Sequence, residues 1–355
     1  MAYTTIDDPS AYFQSKAYTG NGSDNSITND GNSNLQSDLI WIKRRDYNNA
    51  HVLLDSTRGV TKFVSSDDSA AETTLADRLT SFDSNGFTVE STSGAFNADG
   101  EPFIAWQWKA NGGTRSTFTE SGDNPGGGYQ VNTTAGFSIV DYTGTGSAGT
   151  ISHGLTVAPE VIIVKNRGAT EDWCIYHHKN TAAPETDFLE LNEVSATADA
   201  TVWNDTAPTT SVFSVGTQAT VNSDGVTYIA YCWAAKQGYS KFGSYEGNGD
   251  ANGPFVYTGF KPAFIMLKNA ESSSSTAWRI WDTKRNPGNL ADIWVDANDP
   301  DQESESATVN MDILSTGFKP KVNQVSINSS GEEHVYIAFA EQPLVTSGGV
   351  PAIAR

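Results

Sequence analysis

Three times along the chain, the same four landmarks follow one another in the same order. Each series opens with Tyr-x-Gly-x-Gly, at Tyr18–Gly22, Tyr142–Gly146 and Tyr245–Gly249. An apolar run closed by lysine comes next, at Leu39–Lys43, Val161–Lys165 and Phe264–Lys268. A run of aromatic and β-branched residues follows, at His51–Asp55, Trp173–His177 and Trp278–Asp282. Each series closes with a turn and a strand: Asn97–Gly100 before Phe103–Trp108, Asn222–Gly225 before Tyr228–Trp233, and Asn328–Gly331 before Tyr336–Glu341, with Ala105, Ala230 and Ala338 as the matching positions. Self-similarity at a period of roughly 105 residues marks internal duplication, and it restricts the chain to an array of related modules.

Every landmark reads as β structure. The Asn-x-x-Gly segments carry hairpin chemistry, because Asn and Gly tolerate positive φ. The closing strands are apolar on both faces, which suits a central strand between two packed layers. Ser, Thr, Asn, Asp and Gly abound, and all are poor helix formers. The expected fold is therefore all-β: three tandem, related β-sandwich modules of jelly-roll-like kind, with short arms at both ends. The expected bounds are an N-terminal arm over 1–12, modules over 13–110, 129–236 and 237–341, a Gly-rich linker over 111–128 and a C-terminal tail over 342–355. One helical turn is expected in 66–79, where Ser and Asp precede Ala, Glu and Leu.

Charge narrows the partners. Lys and Arg total 22 against 42 Asp and Glu, a net −20 that repels nucleic acid and anionic membranes. Two cysteines, Cys174 and Cys232, are too few for a disulfide framework, and buried thiols are expected. The opening residues lack the basic and apolar regions of a signal peptide, and no apolar run reaches the ~20 residues of a spanning helix. Synthesis and assembly in a cytoplasm are expected, without membrane insertion.

Motifs for catalysis are scarce. The five histidines match no metal spacing, and His177-His178 reads as a surface pair whose rings face opposite ways. There is no nucleophile elbow or phosphate loop, and Gly126–Gly128 precedes no helix, so it reads as linker. The densest acidic stretch offers Asp296, Asn298, Asp299 and Asp301 as oxygen ligands, a partial calcium loop set against the plainer reading of a solvated acidic loop. No other cofactor is expected. Trp203 and Trp294 lie outside the landmarks, and they are the candidates for stacking on sugar rings if they are exposed.

The repeat also resembles a family of uncharacterised virion-associated proteins of tailed phages, marine ones especially. The resemblance is carried by Tyr18–Gly22, Asp38–Arg45, Phe82–Phe87 and Ala105–Trp108, and in the later copies by Val161–Arg167, Tyr228–Ala235, Tyr239–Gly249 and Phe255–Lys268. It spans about residues 12–343, and departs at Gln107, often Cys in that family, and at Arg44, in place of Asn. It implies a structural, non-enzymatic virion protein, and it transfers no site residue.

The leading expectation is a tail-associated fibre or adhesin that presents loops to host-surface glycans, with other virion proteins as partners and a homotrimer as the default assembly. A capsid decoration or cement protein is the alternative, and a glycan-cleaving tailspike a weaker one. The absence of heptads or a β-helical stalk argues against an extended fibre. The variable loops 66–81, 180–210 and 283–310 are the expected recognition surface.

Overall fold

The computed structural model describes residues 2–90, 92–272, 274 and 276–352. Strand accounts for 42% and helix for 4%, which makes the fold all-β. The same four-strand order occurs three times. An opening strand pairs with a central closing strand, which pairs with the lysine-bearing strand, which pairs with a short third strand. In the first unit these are Phe13–Thr19, Pro102–Trp108, Leu39–Arg44 and Val52–Asp55. In the second they are Phe137–Thr143, Thr227–Trp233, Val161–Asn166 and Cys174–His177, and in the third Ser240–Glu246, Glu333–Pro343, Phe260–Asn269 and Arg279–Asp282. The ladders are antiparallel.

A smaller sheet covers one face of each large one. It contains Asp24–Thr28, Gly86–Glu90 and Leu79–Asp83 in the first unit, Gly149–Ser152 and Val212–Val215 in the second, and Val256–Tyr257, Gly317–Pro320 and Met311–Leu314 in the third. Between the two sheets lies a separate core for each unit, filled by Ile40, Phe87 and Phe103, by Ile162, Trp203 and Phe213, and by Ile265, Trp281 and Phe318. Because strand residues alternate faces, the other set of apolar residues points away from these cores. Those residues meet in one further core common to all three units: Trp41, Trp106 and Trp108 with Ile163, Tyr231 and Trp233 and with Met266, Ile337 and Phe339. Only about 20 Å³ remains empty at its centre. The units are therefore clustered around a shared core and do not form a rod.

The opening motif has a local reason in each unit. Tyr18, Tyr142 and Tyr245 donate their hydroxyls to the carbonyls of Phe96, Val221 and Ile327. The next residue in each case is a buried asparagine, Asn97, Asn222 or Asn328, which accepts from the backbone N–H of Asn21, Thr145 or Asn248. A Cβ on Gly20, Gly144 or Gly247 would lie 2.0–2.3 Å from a backbone oxygen, so only glycine fits there.

Several expectations need correction. Residues 66–79 hold no helix; Thr73–Thr74 pairs with Lys62–Phe63 instead, and the segment leans on the second unit. The expected linker is not free, because Ser116–Phe118 and Gly126–Asn132 form a hairpin that adds two strands to the second unit's sheet. The N-terminal arm is docked, with Ile6 in the shared core and Tyr3 and Thr4 bonded to Gly259 and Gln237 of the third unit. The third closing strand matches its relatives two residues earlier than Ala338 suggested. His334, not Tyr336, stands opposite the opening tyrosine, as Phe103 and Tyr228 do. The stacks Tyr18–Phe103, Tyr142–Tyr228 and Tyr245–His334 coincide at centroid distances of 5.1, 5.0 and 5.1 Å. A two-residue slip keeps every side chain on its own face, so the hydrophobic pattern alone does not detect it.

Candidate interaction grooves between the units

Each unit grips its neighbour with the same set of groups, and the three grips close a ring, as a heterologous contact does when its rotation closes. Trp173 donates its indole N–H to the Ser65 carbonyl of the first unit at 2.8 Å, and Trp278 to the Glu190 carbonyl of the second at 2.8 Å. In the first unit His51 holds this place, with Nε2 3.1 Å from the Asp296 carbonyl of the third. The lysine landmarks do similar work. Lys43 and Lys165, both buried, donate to the Pro300 carbonyl of the third unit and the Ser69 carbonyl of the first. Lys268 donates to Thr276, whose hydroxyl carries the link to the Val194 carbonyl of the second. Burial pulls Lys43 and Lys165 down to about 8 and Lys268 to about 7.

A third element runs the other way around the ring. Asp55, bound to Arg58, accepts from the Tyr231 hydroxyl of the second unit at 2.8 Å. Asp282, bound to Arg285, accepts from the Trp106 indole of the first at 3.1 Å. In the second unit this position is His177, whose Nε2 meets the Tyr336 carbonyl at 3.2 Å. The neighbour there presents Ile337, which has no donor, so a carboxylate would face only a carbonyl oxygen. A histidine N–H supplies the donor that the site needs. His177 is thus buried, not on the surface, and burial pushes it down to about 3.

Three equivalent grooves lie along the opening strands, each walled by the start of the lysine strand and the end of the third strand of a neighbouring unit. Along Phe137–Thr143 the wall is Asp38, Ser56 and Thr57, and this groove is filled. The chain's own strand Gly126–Asn132 pairs there, and Gln130 donates to the Ser56 and Thr57 hydroxyls at 2.7 and 2.6 Å. Asp38 accepts the backbone N–H groups of Ala110, Gly112 and Gly113 beside it.

The other two grooves are open. Along Phe13–Thr19 the wall is Ala263, Thr283 and Lys284, around about 460 Å³. The Ser15 hydroxyl lines it, buried and without a hydrogen-bond partner among the described residues. Along Ser240–Glu246 the wall is Glu160, His178 and Lys179, around about 710 Å³. Here His178 Nε2 lies 2.9 Å from the Phe242 carbonyl and 3.2 Å from the Glu160 carboxylate. Lys241 donates to the Tyr257 carbonyl, and Phe255 and Tyr257 stand 49% and 48% exposed at the rim. Tyr3 sits against Gly259 as Tyr129 of the inserted strand sits against Gly154.

The residues singled out from sequence lie elsewhere. Trp203 is 1% exposed and bonds the Asp187 carbonyl, so it offers no face to a sugar. Trp294 is 6% exposed beneath the Arg279 guanidinium, which covers a face of its ring. Of the acidic stretch, Asp296 faces Arg279, Asn298 accepts from the Trp278 N–H, Asp299 from the Asp301 N–H, and Asp301 from the Asn48 amide. The Asn298, Asp299 and Asp301 oxygens serve protein donors, and Asp296 is held as an ion pair; among the described residues no group of three or more His, Cys, Asp or Glu is placed to hold a metal. Each of the three variable loops contributes a ring contact, with Glu72 bound to Arg167, Thr197 to Ala270 and Glu303 to Arg45. Sequence reasoning missed the open edges. Their only signal is that unit two carries strands before its opening tyrosine that units one and three lack.

A family model described as a domain of unknown function (DUF7483) matches residues 8–343. No curated protein and no solved structure matches the chain.

Proposed function

We propose that this chain, which belongs to the DUF7483 family, is a non-enzymatic structural component of a tailed-phage particle. The observation that carries this reading is the closed ring of three sandwiches, whose seams are held by buried ionisable groups. The imidazoles of His51 and His177 and the ammonium groups of Lys43 and Lys165 are all committed to carbonyls of another unit. Such a body is a rigid block with chemistry only at its rim. The phage assignment rests on the repeat resemblance. The block-like shape favours a compact tail, collar or capsid-surface position over an extended fibre.

The protein content of purified particles of the encoding phage, with immunogold labelling, tests this. The reading expects the chain at fixed stoichiometry on the tail or the capsid. Absence from particles contradicts it. A trimer of chains, the default for fibres, is checked by sedimentation equilibrium.

Host-glycan adhesion at the tail is a second reading, favoured by exposed Phe255 and Tyr257 beside an open groove. Aromatic faces at a wet rim suit sugar stacking. A glycan array with no hit that Tyr257→Ala weakens would remove it.

A further inference from the structure

The chain contains its own example of what an opening-strand groove accepts. In the second unit, the strand Gly126–Asn132 lies antiparallel to Phe137–Thr143, with Gln130 opposite Ile139. The opening tyrosines align the three strands, so Ile139 corresponds to Phe242 and Asp141 to Ser244. The Phe242 carbonyl points out of its own ladder, toward His178. Ser244, two residues on, presents its backbone the same way. Ser240–Glu246 is the edge strand of its sheet, and an edge with outward N–H and C=O groups is a template for one more strand.

We infer that the groove along Ser240–Glu246 takes an extended, acidic segment of a partner protein as an added antiparallel strand. The acidity follows from donors and acceptors. In the filled groove, the Gln130 amide gives its protons to the hydroxyls of Ser56 and Thr57. The corresponding wall positions in the open groove are His178 and Lys179. Lysine is a donor with no acceptor, so the side chain that meets it must accept. A carboxylate opposite Phe242 does so, and it brings charge to an ammonium that makes no ion pair among the described residues. Around Phe242, Lys179, Lys241 and His178 stand with one carboxylate, Glu160, and the next carboxylates, Glu271 and Glu333, line the adjoining depression beside Ser244, so the groove is locally basic opposite Phe242 on a chain of net −20. A whole second copy would bring its own −20, whereas a tethered segment delivers only its own residues. On arrival the strand's N–H replaces the His178 contact on the Phe242 carbonyl. The inference deepens the structural reading above by naming a kind of partner, but the binding itself is independent of where the protein resides.

The probes are peptides of residues 126–132 carrying Gln130→Glu, the native Gln130, or Gln130→Lys, titrated into the full-length chain by fluorescence anisotropy. The expected order is Glu tightest and Lys weakest, roughly tenfold apart. Lys179→Glu, at an exposed position, is expected to reverse that order. Ser244→Pro, which removes an outward N–H from an edge strand, is expected to abolish binding. Circular dichroism verifies that both variants are folded. No binding by any peptide, or binding indifferent to residue 130 and to Ser244→Pro, overturns the inference. A concentration-dependent dimer that Ser244→Pro dissociates would identify a second copy as the occupant and overturn the choice of partner. Particle composition separately tests the phage reading, so the two fail independently.

Discussion

Arg167 of the second unit clasps Glu72 of the first with two parallel hydrogen bonds, Nε to Oε2 at 2.7 Å and Nη2 to Oε1 at 3.0 Å. Below the side chains, the Glu72 N–H donates to the Arg167 carbonyl. Arg45 and Glu303 repeat both features between the first and third units. At the remaining seam Thr197 and Ala270 keep only the backbone bond, reinforced by the Thr197 hydroxyl. The clasp predicts that Arg167→Ala destabilises the chain by about 1–2 kcal/mol, since a bidentate, largely buried pair exceeds an exposed one. Urea unfolding of Arg167→Ala, Glu72→Ala and the double variant measures the coupling; a sum of independent effects would contradict it.

The shared core predicts one cooperative unfolding transition for the whole chain. Trp106, Tyr231 and Ile337 belong to one apolar cluster, so no unit is complete alone. Calorimetry is expected to give a single peak with matching van't Hoff and calorimetric enthalpies, and residues 129–236 alone are expected not to fold. Two or three resolved peaks would show independent modules.

His177 predicts a pH effect with a definite sign. Its folded pKa lies near 3, below the usual value for histidine of about 6.5, because burial disfavours the charged ring. Between those values the unfolded state binds the proton and the folded state does not, so stability falls as pH falls from 6.5 toward 3. Wild type is expected to lose about 1.4 kcal/mol per pH unit relative to His177→Gln across that window. A pH-independent difference between the two would contradict the assignment.

Cys174 and Cys232 lie on strands separated by Val161–Asn166, so two ladder spacings, roughly 9–10 Å, part their backbones. That exceeds the reach of a disulfide. Burial also raises both thiols well above their ordinary range. A thiol reagent is expected to modify neither in the native protein and both in denaturant. Reaction of one thiol under native conditions would contradict the burial.

Asn222 holds the opening turn of its unit with Nδ2 bonds to the Ser147 and Gly216 carbonyls at 2.6 and 2.8 Å. Asn222→Leu is expected to cost about 2–4 kcal/mol, because it strands buried backbone groups. A change under 1 kcal/mol in denaturant unfolding would mean that the turn is held otherwise.

Local features were legible in the sequence and assembly was not. The tyrosine, lysine and asparagine landmarks mark positions that their own neighbourhoods demand; strands formed at the tyrosines and lysines, and turns at the asparagines. The ring was hidden because its contacts use backbone carbonyls such as Ser65, Glu190 and Asp296, which no side-chain motif announces. Trp203 and Trp294 looked like sugar platforms only because they lie outside the repeat, yet core filling accounts for both. Gly126–Gly128, the start of the strand Gly126–Asn132, read as linker because glycines carry no strand propensity. A Cβ on Gly127 would lie 2.1 Å from the Asp141 oxygen, so the close approach of the paired strand selects glycine there. The pair His178 and Lys179 gains meaning only beside Ser240–Glu246.

One groove filled and two open is the feature on which the partner-strand account turns, and residue-resolved hydrogen exchange of the full chain tests it most directly. The outward amides of Ile139 and Asp141, covered by Gly126–Asn132, are expected to exchange slowly, while those of Phe242 and Ser244, and of Ser15 and Ala17, exchange orders of magnitude faster. Equal protection on all three opening strands would contradict the account.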